Sequence, residues 1–179
     1  MASRVVPCIK SFNMGSHKNM LVTCLVLLMA TGGRAQSSNS NVLGTFVAST
    51  PCTAPSKPLP GIAANAECEL MKWKLVLLGN NAANPSGFTL HCTYGLPKQG
   101  TTGFMPGSKE VMMEGVCAVT KGTATNPNAT VYRLTDNKTG KSISLFKLGD
   151  NALHLLDEGM HLMIGTAAWS YTLNRIDNQ

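Results

Sequence analysis

Apolar residues in this chain recur at every second position over short stretches, and the stretches are broken by clusters of Gly, Asn, Pro and Asp. Successive side chains of a strand point to opposite faces, so period-two alternation is the signature of a half-buried β-strand. Residues 70–78 show it most clearly: Met71, Trp73, Leu75 and Leu77 fall on one face, Lys72 and Lys74 on the other. Residues 88–94 place Phe88, Leu90, Cys92 and Tyr94 together, and residues 110–120 place Val111, Met113, Gly115, Cys117 and Val119 together. Further strands are expected over 42–50, 130–135, 142–148, 152–157 and 169–174, the last with Trp169, Tyr171 and Leu173 on one face. Residues 136–141 (DNKTGK) read as a hairpin connection. Residues 95–108 hold four glycines and two prolines, so they form a loop; Phe104 and Met105 at its tip make it a candidate mobile binding segment.

No stretch has helical periodicity. About eight strands with mostly short connections predict an all-β protein, a small antiparallel β-barrel. Closure removes the exposed edges that an open sheet would leave. A core filled by Trp73, Phe88, Met113 and Trp169 would leave no room for a ligand, whereas an apolar cavity above roughly 300 Å³ would suit a carrier.

The front of the chain does not belong to this pattern. Lys18 precedes the apolar run from Met20 to Ala30, and small residues then lead to Gly33 and Ala35. That is a charged n-region, an h-region and a small-residue cleavage site. The expected organisation is a signal peptide over 1–35, a flexible tether over 36–41 and one β-barrel domain over 42–176. The h-region of roughly eleven residues is too short for a membrane span, which takes about 20. Met14 is an alternative start, because Met14 to Lys18 already makes an n-region. Cys24 lies inside the apolar run and follows Thr23, so no lipid anchor is expected there.

Export changes how charge and cysteines read. The formal charge is +6, but Arg4, Lys10, Lys18 and Arg34 lie in the leader; without them eleven Lys/Arg face nine Asp/Glu, a net +2. No Lys/Arg run is interleaved with aromatics, so nucleic acid is not an expected partner. Cys52, Cys68, Cys92 and Cys117 remain after cleavage, an even number in an exported chain. Three pairings satisfy them; the favoured one joins Cys52 to Cys68 and Cys92 to Cys117. The first would staple the proline-rich excursion between β-strands, and the second would link two strands on their apolar faces. The absence of C-x-x-C spacing argues against a zinc centre or a redox pair.

Other polar residues fit a supporting role. Glu110 and Glu114 share a strand face, expected to be solvated. Ser170 and His154 lack a nucleophile-elbow context. Asn128 and Asn137 open glycosylation sequons that would matter only in a eukaryotic secretory pathway. Thioether and imidazole ligands suit Cu(I), and Met160-His161-x-Met163 is the tightest such cluster. These three residues are the candidate metal ligands.

Several segments taken together resemble the N-terminal barrel domain of the NlpE family, bacterial envelope proteins named for copper resistance. They are Gly44-Thr45-Phe46 through Thr50-Pro51-Cys52, Pro60-Gly61-Ile62, Cys68-Glu69 leading into the strand at 70–78, Val131-Tyr132-Arg133-Leu134, and Leu148 to Asp157. The last matches the family's closing L-x-x-N-x-L-x-L-L-D pattern. Cys52 aligns with the first cysteine of the family's P-C-x-x-C, and Cys68 with the second across an insertion. The resemblance covers most of the chain after the leader. It implies a lipocalin-like or OB-like barrel in the cell envelope, periplasmic or secreted and bacterial. It also implies a non-catalytic role in copper homeostasis or envelope stress sensing, through a protein partner in the envelope. The alternative is a lipocalin-like carrier of a small apolar ligand. No cofactor is expected beyond copper.

Overall fold

The computed structural model describes residues 41–52 and 57–176. The expected leader and most of the tether lie outside these residues. Eight strands follow in chain order: β1 (Asn41–Pro51), β2 (Leu70–Gly79), β3 (Gly87–Gly95), β4 (Lys109–Lys121), β5 (Thr130–Asp136), β6 (Ser142–Lys147), β7 (Ala152–Leu156) and β8 (Thr172–Arg175). All are antiparallel to their neighbours, and β8 returns to β1 to close the barrel. Seven of the eight match the expected stretches to within a residue or two at each end. Asn41, assigned to the tether, is instead the first residue of β1 and pairs with Gly79.

The alternation sets the core. In β2, Met71, Trp73, Leu75 and Leu77 are buried, as are Phe88, Leu90, Cys92 and Tyr94 in β3. Ile143 and Leu145 of β6, Leu153 and Leu155 of β7 and Leu173 of β8 fill the other side. Burial of a large apolar side chain contributes about 1.5–3 kcal/mol, so this interior carries the fold. Thr50 is fully buried, and its hydroxyl accepts a hydrogen bond from the Trp73 indole at 2.8 Å. The partner offsets the desolvation of both groups. Gly115 occupies an inward position of β4 where a Cβ would collide with the Thr135 carbonyl, so β4 and β5 can cross here only without a side chain.

Two expectations need correction. Strand β8 begins at Thr172, not at residue 169; Trp169 lies in the β7–β8 connection and is only partly buried. The preceding segment is tied up by its own backbone, with Thr166 N donating to Trp169 O at 2.8 Å, which removes residues 166–169 from the ladder. The core is thus built around Trp73, Phe88 and Met113 without Trp169. The second correction concerns the loop at 95–108. Pro97 and Phe104 form a β-bridge, and Met105 N donates to Leu96 O at 2.8 Å. Phe104 is therefore on the stem of a small hairpin whose turn lies at 98–103. Lys72 on the outer face of β2 holds it, with its ammonium 5.7 Å from the Phe104 ring centroid and bonded to the Thr102 carbonyl.

Candidate functional site

The cysteines divide. Cys52 and Cys68 form a disulfide with Cα atoms 5.3 Å apart, closing the excursion between β1 and β2. Cys52 N also donates to Glu69 O at 3.1 Å, so the bridge sits where the two strands already meet. The expected Cys92–Cys117 bridge is absent: both are free, buried thiols. The register explains it. Cys92 lies opposite Val111, six residues along β4 from Cys117. At about 3.3 Å per residue the two are separated by roughly 20 Å along the strand, far beyond the reach of a disulfide. Sharing an apolar face did not make them neighbours. Burial pushes each thiol up to about 12, which keeps both protonated.

The predicted metal ligands are partly brought together. Met160 adopts a left-handed backbone (φ 63°) at the turn after β7, a conformation held by its amide donating to Asp157 O at 3.0 Å. Its carbonyl accepts from Ala124 N of the β4–β5 loop at 2.9 Å. Met163 follows, its amide donating to Leu155 O at 3.1 Å. Both methionines line one open groove of about 610 Å³, shared with Leu59, Arg133, Leu156 and Asp157. His161 does not line that groove. Its Nδ1 lies 3.3 Å from Asp157 Oδ1, and the imidazole is well exposed. Two thioethers therefore suit a soft ion, while the imidazole would have to swing off Asp157 to join them. His154 serves the scaffold: Nδ1 meets Thr172 Oγ1 and Nε2 meets Met163 O, both at 2.9 Å. A carbonyl only accepts, so Nε2 carries the hydrogen. Among the described residues, no cluster of three or more His, Cys, Asp or Glu side chains has metal-binding geometry.

The two glutamates of β4 face outward, as expected, and turn to different partners. Glu110 Oε2 lies 3.2 Å from His91 Nε2, and Glu114 Oε1 lies 3.9 Å from Lys138 Nζ. All four side chains are largely exposed, so these pairs contribute little to stability.

A further polar cluster was not singled out from the sequence. Lys147 and Arg175 continue the inward phases of β6 and β8, one step beyond Leu145 and Leu173. Both strands end at the same mouth of the barrel, where β5 starts with Tyr132 facing in. Lys147 Nζ donates to Asp150 Oδ1 at 2.9 Å across the tight β6–β7 turn, which Gly149 enables at φ 77°. The Tyr132 phenol lies near enough to the Lys147 ammonium for the two to influence one another electrostatically. The bond to Asp150 is the main reason the Lys147 ammonium is held above its ordinary range, and the same bond lowers the Asp150 carboxyl. Burial raises the Tyr132 phenol. Arg175 donates to Leu43 O at 2.7 Å and lies 5.9 Å from the Phe46 ring centroid. Gly44 makes this possible, because a Cβ there would stand 2.8 Å from the Phe46 ring and 3.4 Å from the guanidinium carbon. Above Phe46, Leu77, Tyr132 and Leu153 the mouth holds a cleft of about 350 Å³. The signal available in the sequence was a cation at an in-phase, inward position at each of two strand ends.

Among the described residues there is no helix long and apolar enough to cross a membrane. No protein-family model, curated protein or solved structure matches the chain.

Proposed function

We propose that this is an exported, non-catalytic barrel of the bacterial cell envelope, akin to NlpE, that handles copper or reports envelope stress by binding rather than by chemistry. The observation that carries the reading is the placement of Met160 and Met163 on one groove. Thioethers favour Cu(I) over the harder divalent ions, and both sit on a turn pinned at three backbone points. Met160 and Met163 would hold the ion, with His161 as the third donor. The Cys52–Cys68 disulfide supports an oxidising compartment such as the periplasm, since cytosolic thiols are kept reduced. A protein partner in the envelope would read the occupied groove, whose rim includes Lys57 and the prolines 58 and 60.

The test is a Cu(I) titration of the oxidised protein against a chromogenic chelator, repeated on Met160→Leu/His161→Ala/Met163→Leu. Stoichiometric binding that the triple variant loses by at least tenfold is the expected result. Failure of the parent protein to compete with the chelator would end the copper reading. The lipocalin-like alternative draws less support. Phe88, Leu75, Leu90 and Leu134 occupy the lumen and are almost completely buried.

A further inference from the structure

On the outer face of β3 and β4, three side chains of metal-ligating type stand within one small patch. His91 of β3 lies directly opposite Met112 of β4. The phase of the ladder is fixed here: Cys117 N donates to Ser86 O on the β3 side at 3.0 Å, whereas Glu114 O accepts from Asn137 N on the β5 side at 2.9 Å. Alternate residues of β4 therefore bond to β3, and His91 and Met112 form one of the unbonded pairs between them. Cβ atoms of such a pair are about 4.5–5.5 Å apart, at the near end of that range. Glu110 precedes Met112 by two positions, so it shares the outer face. Its Oε2 lies 3.2 Å from His91 Nε2. All three side chains reach solvent: Met112 is 72% exposed, and the His91 and Glu110 side chains are 44% and 60% exposed. His91 and Met112 also line a depression of about 430 Å³ with Lys74, Val76 and Glu114.

We propose that this patch binds a divalent transition-metal ion through His91 Nε2 and a Glu110 carboxylate oxygen, with the Met112 thioether as third donor and water completing the shell. Ligand atoms about 2.0–2.2 Å from one ion, at angles of about 90–110°, lie roughly 2.9–3.4 Å from each other. The observed 3.2 Å falls in that window, so the ion can enter without backbone movement. It takes the place of the hydrogen between Nε2 and the carboxylate. That hydrogen moves to Nδ1 as the imidazole changes tautomer, and the ring stays neutral. An imidazole, one carboxylate and one thioether form a mixed donor set, for which the Irving–Williams order ranks Cu(II) above Ni(II) and Zn(II). Mg²⁺ and Ca²⁺ demand oxygen ligands throughout and find only one carboxylate here. Lys74, opposite His91 on β2, is exposed and extends into solvent when the ion enters. The patch shares no residue with the groove at Met160 and takes a divalent ion, so the inference stands apart from the Cu(I) reading.

The test is a calorimetric titration of the oxidised protein with Cu(II) and with Mg²⁺, in the Met160→Leu/His161→Ala/Met163→Leu background so that the groove cannot contribute. Saturable one-to-one binding of Cu(II), without detectable binding of Mg²⁺, is the expected result. His91→Ala should weaken Cu(II) at least tenfold, and Glu110→Gln and Met112→Leu at least threefold each. All three positions are exposed, so the variants should melt with the parent, which separates lost ligation from a lost fold. In the parent, substoichiometric Cu(II) should broaden the NMR signals of His91, Glu110 and Met112 before any others. No saturable Cu(II) binding, unchanged affinity in any of the three variants, or first broadening elsewhere in the barrel would each overturn the proposal.

Discussion

The two halves of this barrel are built differently. Strands β1 to β4 are 9–13 residues long, whereas β5 to β8 run from 7 residues down to 4. On the long side the ladders do the holding: β1 and β2 stay in register from Asn41↔Gly79 to Pro51↔Leu70 across a single bulge. On the short side the ladders are brief. Among the described residues the seam between β1 and β8 pairs Phe46 with Arg175 and Val47 with Asn174, and Ile176 N donates to Thr45 O at 2.9 Å just beyond. Side chains take over there, with His154 strutting β7 to β8, Asp136 capping its hairpin and Arg175 reaching Leu43 O. Met160, Met163, Lys147 and Arg175 belong to this shorter wall or its turns, while Phe46, Leu77 and residues 57–60 bring the long wall and its β1–β2 connection to the same two depressions.

The sharpest way to break this contrast is to attack the long wall at its centre. Trp73→Ala should cost about 3–5 kcal/mol, since it empties the core and leaves Thr50 without its indole partner. An unfolding free energy from urea titration within about 1 kcal/mol of the parent would contradict the assignment. Next in size is the staple. Removing both Cys52 and Cys68, a separation of 16 residues, should cost about 3 kcal/mol in the chain-entropy account. Reduction by dithiothreitol should reproduce the shift, and an unchanged melting temperature would deny the bridge its role.

On the short wall a smaller effect should be more local. His154→Ala removes two hydrogen bonds and should cost about 1–2 kcal/mol. Amide exchange should accelerate in β8 while β2 stays protected; uniform acceleration would erase the distinction between the halves. The smallest expected effect is an acid one. Asp136, Asp150 and Asp157 are all held below their ordinary carboxyl value of 3.8. The causes are hydrogen bonds from Thr139, Lys147 and the His161 amide respectively. Each therefore contributes stability above the ordinary carboxyl range, and the contribution is lost as pH falls through the lowered value. All three sit at turns of β5 to β8, so acid should loosen that side first. Replacing the three with Asn should flatten the fall in stability below about pH 4. An acid limb of unchanged slope would show that other groups govern it.

The strands were legible where both faces had distinct environments. Met71 to Leu77 and Phe88 to Tyr94 alternate cleanly because one face meets the core and the other meets water. Trp169 misled because its alternation with Tyr171 and Leu173 continues into a segment whose backbone bonds to itself. The methionine groove was half visible: sequence proximity put Met160 and Met163 on one turn but could not show that His161 faces Asp157. Lys147 and Arg175 were in phase with buried leucines from the start. Their meaning emerges only once two strand ends, 28 positions apart in sequence, share one rim.

Pleating is a local property of the backbone, so the facing of each side chain followed from residue order alone, as did the all-β class and the number of strands. Register and closure are not local. They decide which of many same-facing residues meet, through hydrogen-bond ladders that join distant segments. That is why Cys52 found Cys68 across a connection already pinned at both strand ends, why Cys92 and Cys117 stayed apart on one apolar face, and why two cations converge on the mouth.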